Sequence, residues 1–265
     1  GRVVDSKEPT RRRWVEIGLL GLSAYIIGFF SYQMMMEPSE QIPQEEKAAL
    51  QSEVGQYLEE RYGQSFVVEE PTYLPETEEY RLYAYPEDNP QQRFIVSKNP
   101  ERLLDGYISL LYKEQAQKEL SDLVEELYSN VWRAEAKVGV GRLEGNFAKG
   151  IPSYQETRQH HPDKLMQEVE IDLIYKINEG NKKKELGKIL RLVHHYRETG
   201  LQNIKFTISY FDPQLLDNEK GMPENKKRDD YEEKYLRHQV SLGVADRVKT
   251  VDDIAELLVY FPKKP

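Results

Sequence analysis

The sequence contains no cysteine among its 265 residues. This absence excludes disulfide bonds, thiolate metal sites and cysteine nucleophiles. Tryptophan and methionine are also scarce, while charged residues make up 31% of the chain and apolar residues 38%. That apolar share is low for a protein embedded in a membrane, so we expect the apolar residues to be concentrated in one segment.

The chain also lacks a basic face. Its formal net charge is −9, and residues 1–36 hold five basic side chains against three acidic ones. The remainder is therefore more acidic than the chain as a whole. Because binding to nucleic acid needs lysine and arginine side chains that neutralise phosphates, the sequence predicts no nucleic-acid partner.

The motifs of several common catalytic chemistries are missing as well. The sequence has no H-E-x-x-H metal motif, no G-x-x-x-x-G-K-[ST] phosphate loop and no G-x-S-x-G serine motif. Three glycines, Gly139, Gly141 and Gly145, follow a predicted strand, but no helix N-terminus follows them to hold a phosphate. We predict no cofactor and no metal, and we assign no catalytic residue.

One long apolar run is present at residues 17–36, which are 20 residues without a formal charge. A helix of this length spans about 30 Å, the thickness of a bilayer core. Arginines precede the run and glutamates follow it, which places the N-terminus in the cytoplasm. We predict a cytoplasmic tail (1–13), one transmembrane helix (14–36) and an extracytoplasmic remainder at the cell membrane.

Two other interpretations of this run are weaker. A cleaved signal peptide would show a small-residue cleavage site, but the run ends in Gln-Met-Met-Met-Glu. A buried core helix of a soluble protein rarely has so many uncharged residues beside an arginine cluster. Membrane contact through one spanning helix is therefore the prediction.

The remainder shows an α+β pattern. A short linker at residues 37–46, rich in proline and glutamate, precedes a helical pattern and three short extended segments, as in a small antiparallel meander. Helices and strands of strict period two follow without a regular βαβ repeat. We predict two small lobes with antiparallel sheet, 47–99 and 100–265, the second with a charged insertion at 212–234.

Local signals place some boundaries within these lobes. Gly63 predicts the end of the first helix, and Asn99–Pro100 predicts the start of the next. Thr250, with an aspartate three residues later, predicts the start of a last short helix after a strand at about 236–243.

Three segments carry a resemblance to other proteins: YLEERYGQSFVV, YRLYAYPEDNPQQRFIV and DGYISLLYKEQAQKEL, within about residues 54–120. Their Y-G-x-x-F step from helix to strand resembles a pattern of uncharacterised membrane-anchored or secreted proteins of Gram-positive Firmicutes. The resemblance implies a bacterial cell-surface setting. It implies no activity and no functional residues.

Tyrosines form the first candidate site. Tyr83 and Tyr85 alternate along one predicted strand and share a face, with Tyr73 just before that strand. An exposed aromatic face of this kind stacks on a glycan or docks a protein. The alternative is a strand that is packed on both sides.

Histidines form the second candidate site. His160 and His161 lie in a segment without clear periodicity, and His238 lies near the last strand. Adjacent histidines do not chelate a metal by themselves, because their side chains diverge. An unrecognised envelope enzyme built on these three residues is one hypothesis, and surface or hydrogen-bonded histidines are the other.

These observations favour a membrane-tethered, non-enzymatic interaction module that binds a protein partner in the envelope or the membrane. Two alternatives stay open at this point. One is a sensor or binding domain for a small ligand or a cell-wall glycan, and the other is the envelope enzyme.

Overall fold

The computed structural model describes residues 42–220, 228–243 and 247–263. The chain folds into two five-stranded sheets with helices packed against them. The α+β class is therefore as predicted. The first sheet is antiparallel throughout, as predicted, whereas the second sheet contains one parallel pair, so the prediction of antiparallel sheet is wrong for that pair.

The first region begins with helix α1 (Gln44–Tyr62), which buries Leu50, Val54 and Leu58 on one face. The helix ends at Gly63, whose φ of 67° is left-handed and whose N–H donates to the Glu59 carbonyl. This end confirms the prediction from the sequence.

The first sheet follows α1. Its strands are β1 (Phe66–Val68), β2 (Thr72–Leu74), β3 (Glu79–Pro86), β4 (Phe94–Lys98) and β5 (Leu103–Asp105). Strand β3 pairs with both β1 and β2, and the order then runs through β4 to β5.

The helix predicted from Asn99–Pro100 begins later than expected. The Asn99 side chain accepts hydrogen bonds from the backbone N–H groups of Glu101 and Arg102, which closes a turn. The next three residues form β5. Helix α2 then runs over Tyr107–Leu127 without a break. The boundary at residues 99 and 100 between two lobes stays a prediction.

The second sheet has the order β10-β9-β8-β7-β6. Its strands are β6 (Val131–Val140), β7 (Leu165–Ile174), β8 (Ile204–Phe211), β9 (Leu236–Gly243) and β10 (Val259–Tyr260). The parallel pair β7–β8 is joined by helix α4 (Lys182–Glu198), and the other pairs are antiparallel.

Short helices complete the fold. They are α3 (Tyr154–His160), α5 (Gln214–Asn218), α6 (Asp229–Tyr235) and α7 (Val251–Ala255). Both α3 and α7 begin with a capping box, at Ser153 and at Thr250, and the second confirms the predicted start. The stretch 212–234, predicted as a charged insertion, contains α5 near its start and α6 near its end. Residues 221–227 lie outside the described ranges.

One hydrophobic core contains side chains from both sheets. Helix α2 packs against β6 and β4 and contributes Tyr112, Ala116 and Leu120, all fully buried. A second, smaller apolar cluster lies under α5 and α6 and contains Phe211, Leu215 and Tyr235. The longer helices thus pack on the core side of the sheets, and α5 and α6 cover part of the other side of the second sheet.

The described part of the chain contains no helix that is long and apolar enough to cross a membrane. Even the longest of these helices, α2, carries charged side chains along its length. The predicted transmembrane helix is therefore wrong as an element of this fold, and the single-pass topology and the cell-membrane location that followed from it are withdrawn. Residues 14–36, on which the prediction rested, lie outside the described ranges.

Candidate binding surfaces

The outward side of the first sheet carries an apolar band, here called the aromatic face. Its five residues come from four strands and are Val67, Tyr83, Tyr85, Ile95 and Leu104. Strand register places them side by side, because Val67 pairs with Tyr85 and Tyr83 pairs with Ile95. Leu104 pairs with Ser97, two residues beyond Ile95 on the same side. The band therefore crosses the sheet from β1 to β5.

The aromatic face is accessible to solvent. Val67 and Leu104 are 37% and 39% exposed, and the two tyrosines are half-buried. The opposite side of the same strands is fully buried at Leu82, Ala84 and Val96. The alternation along β3 thus separates a core side from an outward side.

One charged pair borders this face. The Arg93 guanidinium carbon lies 3.5 Å from the centre of the Tyr83 ring, a cation–π contact. Arg93 Nε also donates to Glu69 Oε2 at 2.7 Å. These contacts hold the Tyr83 ring in place beside a charged group of each sign.

Tyr73 does not belong to the aromatic face. It pairs with Tyr80, and their ring centres are 4.9 Å apart. Tyr80 points to the same side as Leu82, which is the core side. The structure therefore brings Tyr83 and Tyr85 together and places Tyr73 on the other side of the sheet.

The three candidate histidines lie at opposite ends of the second sheet. His160 and His161 precede β7 and are exposed, whereas His238 lies on β9 beside Tyr210, near the end of β8. The separation along the strands is about 20 Å at roughly 3.3 Å per residue. Among the described residues, no group of three His, Asp or Glu side chains could hold a metal ion.

His238 is the most enclosed of these histidines. Its ring centre lies 5.2 Å from that of Tyr260, and its Nδ1 is buried without a hydrogen-bond partner. Burial lowers the pKa of His238 below its usual 6.5, and the Lys182 ammonium lowers it further. Both effects favour the neutral form of the imidazole.

A polar row that the sequence did not predict lies on the outward side of the second sheet. Register aligns Arg133, Asp172, Ser209 and Gln239 across β6, β7, β8 and β9. Arg133 Nε lies 3.2 Å from Asp172 Oδ2, and Gln239 Nε2 donates to Ser209 Oγ at 3.0 Å. The only signal in the sequence was the charged alternation Glu168, Glu170 and Asp172.

Arg228 lies over the polar row and ties α6 to the sheet. Its Nε lies 2.9 Å from Asp172 Oδ2, and its Nη2 donates to Ser209 Oγ at 3.0 Å. Its Nη1 reaches Glu232 of α6 at 2.5 Å. Asp172 is only 2% exposed, so one guanidinium bridges a buried carboxylate and a helix.

The electrostatics of the polar row follow from burial. Burial raises the pKa of Asp172, and the attraction of Arg228 and Arg133 offsets this only in part. Ser209 Oγ accepts from both Arg228 and Gln239 and is fully buried. The arrangement presents no free nucleophile or open carboxylate, so it serves as a structural network.

A groove lies on the far side of α6. Its volume is about 440 Å³. The lining consists of three carboxylates and three apolar residues, namely Asp229, Glu232, Glu233, Leu236, Phe261 and Pro262. It opens beside β10, the edge strand of the second sheet.

No protein-family model matches this chain, and no curated protein matches it. Among solved structures, a crystal structure of a DUF5037 family protein from Ruminococcus gnavus ATCC 29149 is similar at 14% sequence identity and a TM-score of 0.35. The match covers 73% of this chain and 90% of that chain. We base no conclusion about fold or function on a likeness of this size.

Proposed function

We propose that this chain is a non-enzymatic binding module that recognises a protein partner through the aromatic face. One observation carries the proposal: an exposed band of tyrosine and aliphatic side chains crosses an otherwise well-packed sheet from edge to edge. Contiguous exposed apolar surface on a folded domain is typical of an interaction site.

The composition of the face supports a protein partner. Tyrosine and arginine are enriched at the energetic centres of protein interfaces, and Tyr83 is held under Arg93. The neighbours of the tyrosines are aliphatic, namely Val67, Ile95 and Leu104. The hydrogen-bonding side chains beside the rings, Arg93 and Glu69, already pair with each other, whereas a glycan site needs such groups directed at the sugar hydroxyls.

The rigidity of the face also favours recognition. Leu82 and Ala84, between the outward residues of β3, are fully buried, which fixes the backbone that presents Tyr83 and Tyr85. Binding of a partner therefore costs little free energy for ordering this surface.

Site-specific photo-crosslinking in the cells that make this chain tests the proposal. A photoreactive residue is placed at Leu104 or at Tyr85, with Glu125 on α2 as the control position. We expect both face positions to crosslink to the same protein and the control position to give no such product. With that protein purified, Leu104→Lys should weaken binding by about tenfold or more, which corresponds to about 1.4 kcal/mol.

Two results would contradict the proposal. One is a purified partner that binds Leu104→Lys and Tyr85→Ser as tightly as the natural chain. The other is specific binding of cell-wall glycans at this face with no crosslinked protein. A thermal unfolding curve for each variant separates lost binding from lost folding.

A further inference from the structure

A second surface, remote from the aromatic face, lies at the edge strand β10 of the second sheet. Val259 and Tyr260 are 52% and 62% exposed, more than the apolar residues of the aromatic face. Strand β10 pairs with β9 on one side and, in the part of the chain that the structure describes, ends the sheet on the other. An edge strand with exposed apolar side chains is a template for another strand.

The groove beside β10 combines apolar side chains with acidic ones. Leu236, Phe261 and Pro262 form its apolar part, and the side chains of α6 add carboxylates. Arg228 already binds Glu232. Asp229 makes no ion pair within the described ranges, so a cation in the groove would meet an available carboxylate there.

The wall of this groove is built firmly into the fold. Arg228 joins α6 to Asp172 and Ser209 of the sheet. Behind the helix, the Trp132 ring lies edge-on to Phe211 with ring centres 5.0 Å apart. The carboxylates of α6 are therefore held beside β10 by contacts that do not involve the groove itself.

We propose that the groove and β10 together bind an extended, basic and apolar segment of a partner protein. Such a segment would add to β10 as a strand, with its apolar side chains against Tyr260 on one side of the sheet and a lysine or arginine near Phe261 and Asp229 on the groove side. Alternating side chains of an added strand face opposite sides, so one side contacts the groove. A second copy of this chain is disfavoured as occupant, because the chain carries a net charge of −9.

Fluorescence anisotropy with labelled synthetic peptides tests this inference. The probe is a peptide of alternating lysine and valine, and the matched control is a peptide of alternating glutamate and valine. We expect saturable binding of the lysine peptide and no binding of the glutamate peptide. Rising salt should weaken the binding, because salt screens the attraction between the lysines and the carboxylates at the rim of the groove. Asp229→Asn should weaken it by about tenfold at low salt, and Val259→Ser should weaken it too.

Two control variants make the result specific. Asp122→Asn removes an exposed carboxylate of α2, and Leu104→Lys disrupts the aromatic face; both should leave peptide binding unchanged. Equal binding of the two peptides, or binding insensitive to both groove variants, would overturn the inference. So would self-association in sedimentation experiments that Val259→Ser abolishes, because the occupant would then be a second copy. None of these outcomes bears on the aromatic face.

Discussion

The outward sides of the two sheets have opposite chemistry. On the first sheet, the outward side is the aromatic face, exposed and mostly aliphatic or aromatic. On the second sheet, the outward side carries a polar row, in which Asp172 is buried between Arg133 and Arg228, next to the apolar cluster under α5 and α6. The strands of both sheets alternate with the same period, so the difference lies in which residue types occupy the outward positions.

The aromatic face is therefore the proposed binding surface, whereas the polar row is a set of contacts within the fold. Exposed apolar side chains are left without partners of their own, and burying them against another protein is favourable. The polar row has already used its charges internally, and its groups would lose those contacts if a ligand replaced them. In the two proposals, the second sheet binds a partner at its edge and groove, and the first sheet binds one at its face.

Breaking the polar row should have a large effect on stability. Arg228→Met leaves Asp172 buried with only Arg133 as an ion-pair partner, and losing one member of a buried pair costs about 3–5 kcal/mol. Because Arg133 remains, we expect the lower end of that range in urea unfolding. The control is Arg142→Met, which breaks an exposed pair with Glu144 that is worth about 0–1 kcal/mol. Equal stability of the two variants would show that the polar row does not hold α6.

The two sides of the first sheet should respond differently to truncation. Leu82→Ala removes a fully buried side chain and should lower the free energy of unfolding by about 2–5 kcal/mol. Leu104→Ala, on the aromatic face, should change it by less than about 0.5 kcal/mol. If Leu104→Ala destabilises the fold as strongly as Leu82→Ala, the aromatic face is part of the core and the proposed binding surface is wrong.

Much of this fold followed from local patterns. Strict alternation of side chains predicted the strands observed as β6, β7 and β8. Gly63 predicted the end of α1, and Thr250 predicted the start of α7. These signals are local, because side-chain period and capping depend on residues close in sequence. The start of α2 failed for the same reason, since an Asn-Pro pair fits a turn as well as a helix start.

The candidate sites depended on register, which the sequence does not display. Tyr73 was grouped with Tyr83 and Tyr85, but its pairing with Tyr80 turns it to the core side. The polar row joins four strands and an arginine that is distant in sequence. The exposed pair Val67 and Leu104 becomes one surface with the tyrosines only after the strands are aligned.

The edge strands of the two sheets also differ in how a glutamine side chain pairs their backbone groups. The Gln117 side chain bonds both the carbonyl of Ala134 and the N–H of Ala136 on β6, at 2.9 and 2.8 Å, and so takes the place of a neighbouring strand. Gln117→Leu should leave both groups unpaired and cost about 1–3 kcal/mol. On the first sheet, Gln51 bonds a single carbonyl, that of Val68, so Gln51→Leu should cost less. Urea unfolding of both variants measures this, and a larger loss for Gln51→Leu would contradict it.

The smallest expected effect is the pH response of His238. Because its pKa is lowered in the folded state, His238 contributes stability above its unfolded pKa, near 6.5, that is lost as the pH falls through the folded pKa. Urea unfolding between about pH 7.5 and pH 5 should therefore show a loss on acidification that is smaller in His238→Gln. His194, exposed on α4, is the matched control position. If His238→Gln keeps that slope but abolishes cellular function, His238 has a chemical role and the enzyme hypothesis gains ground over a binding module.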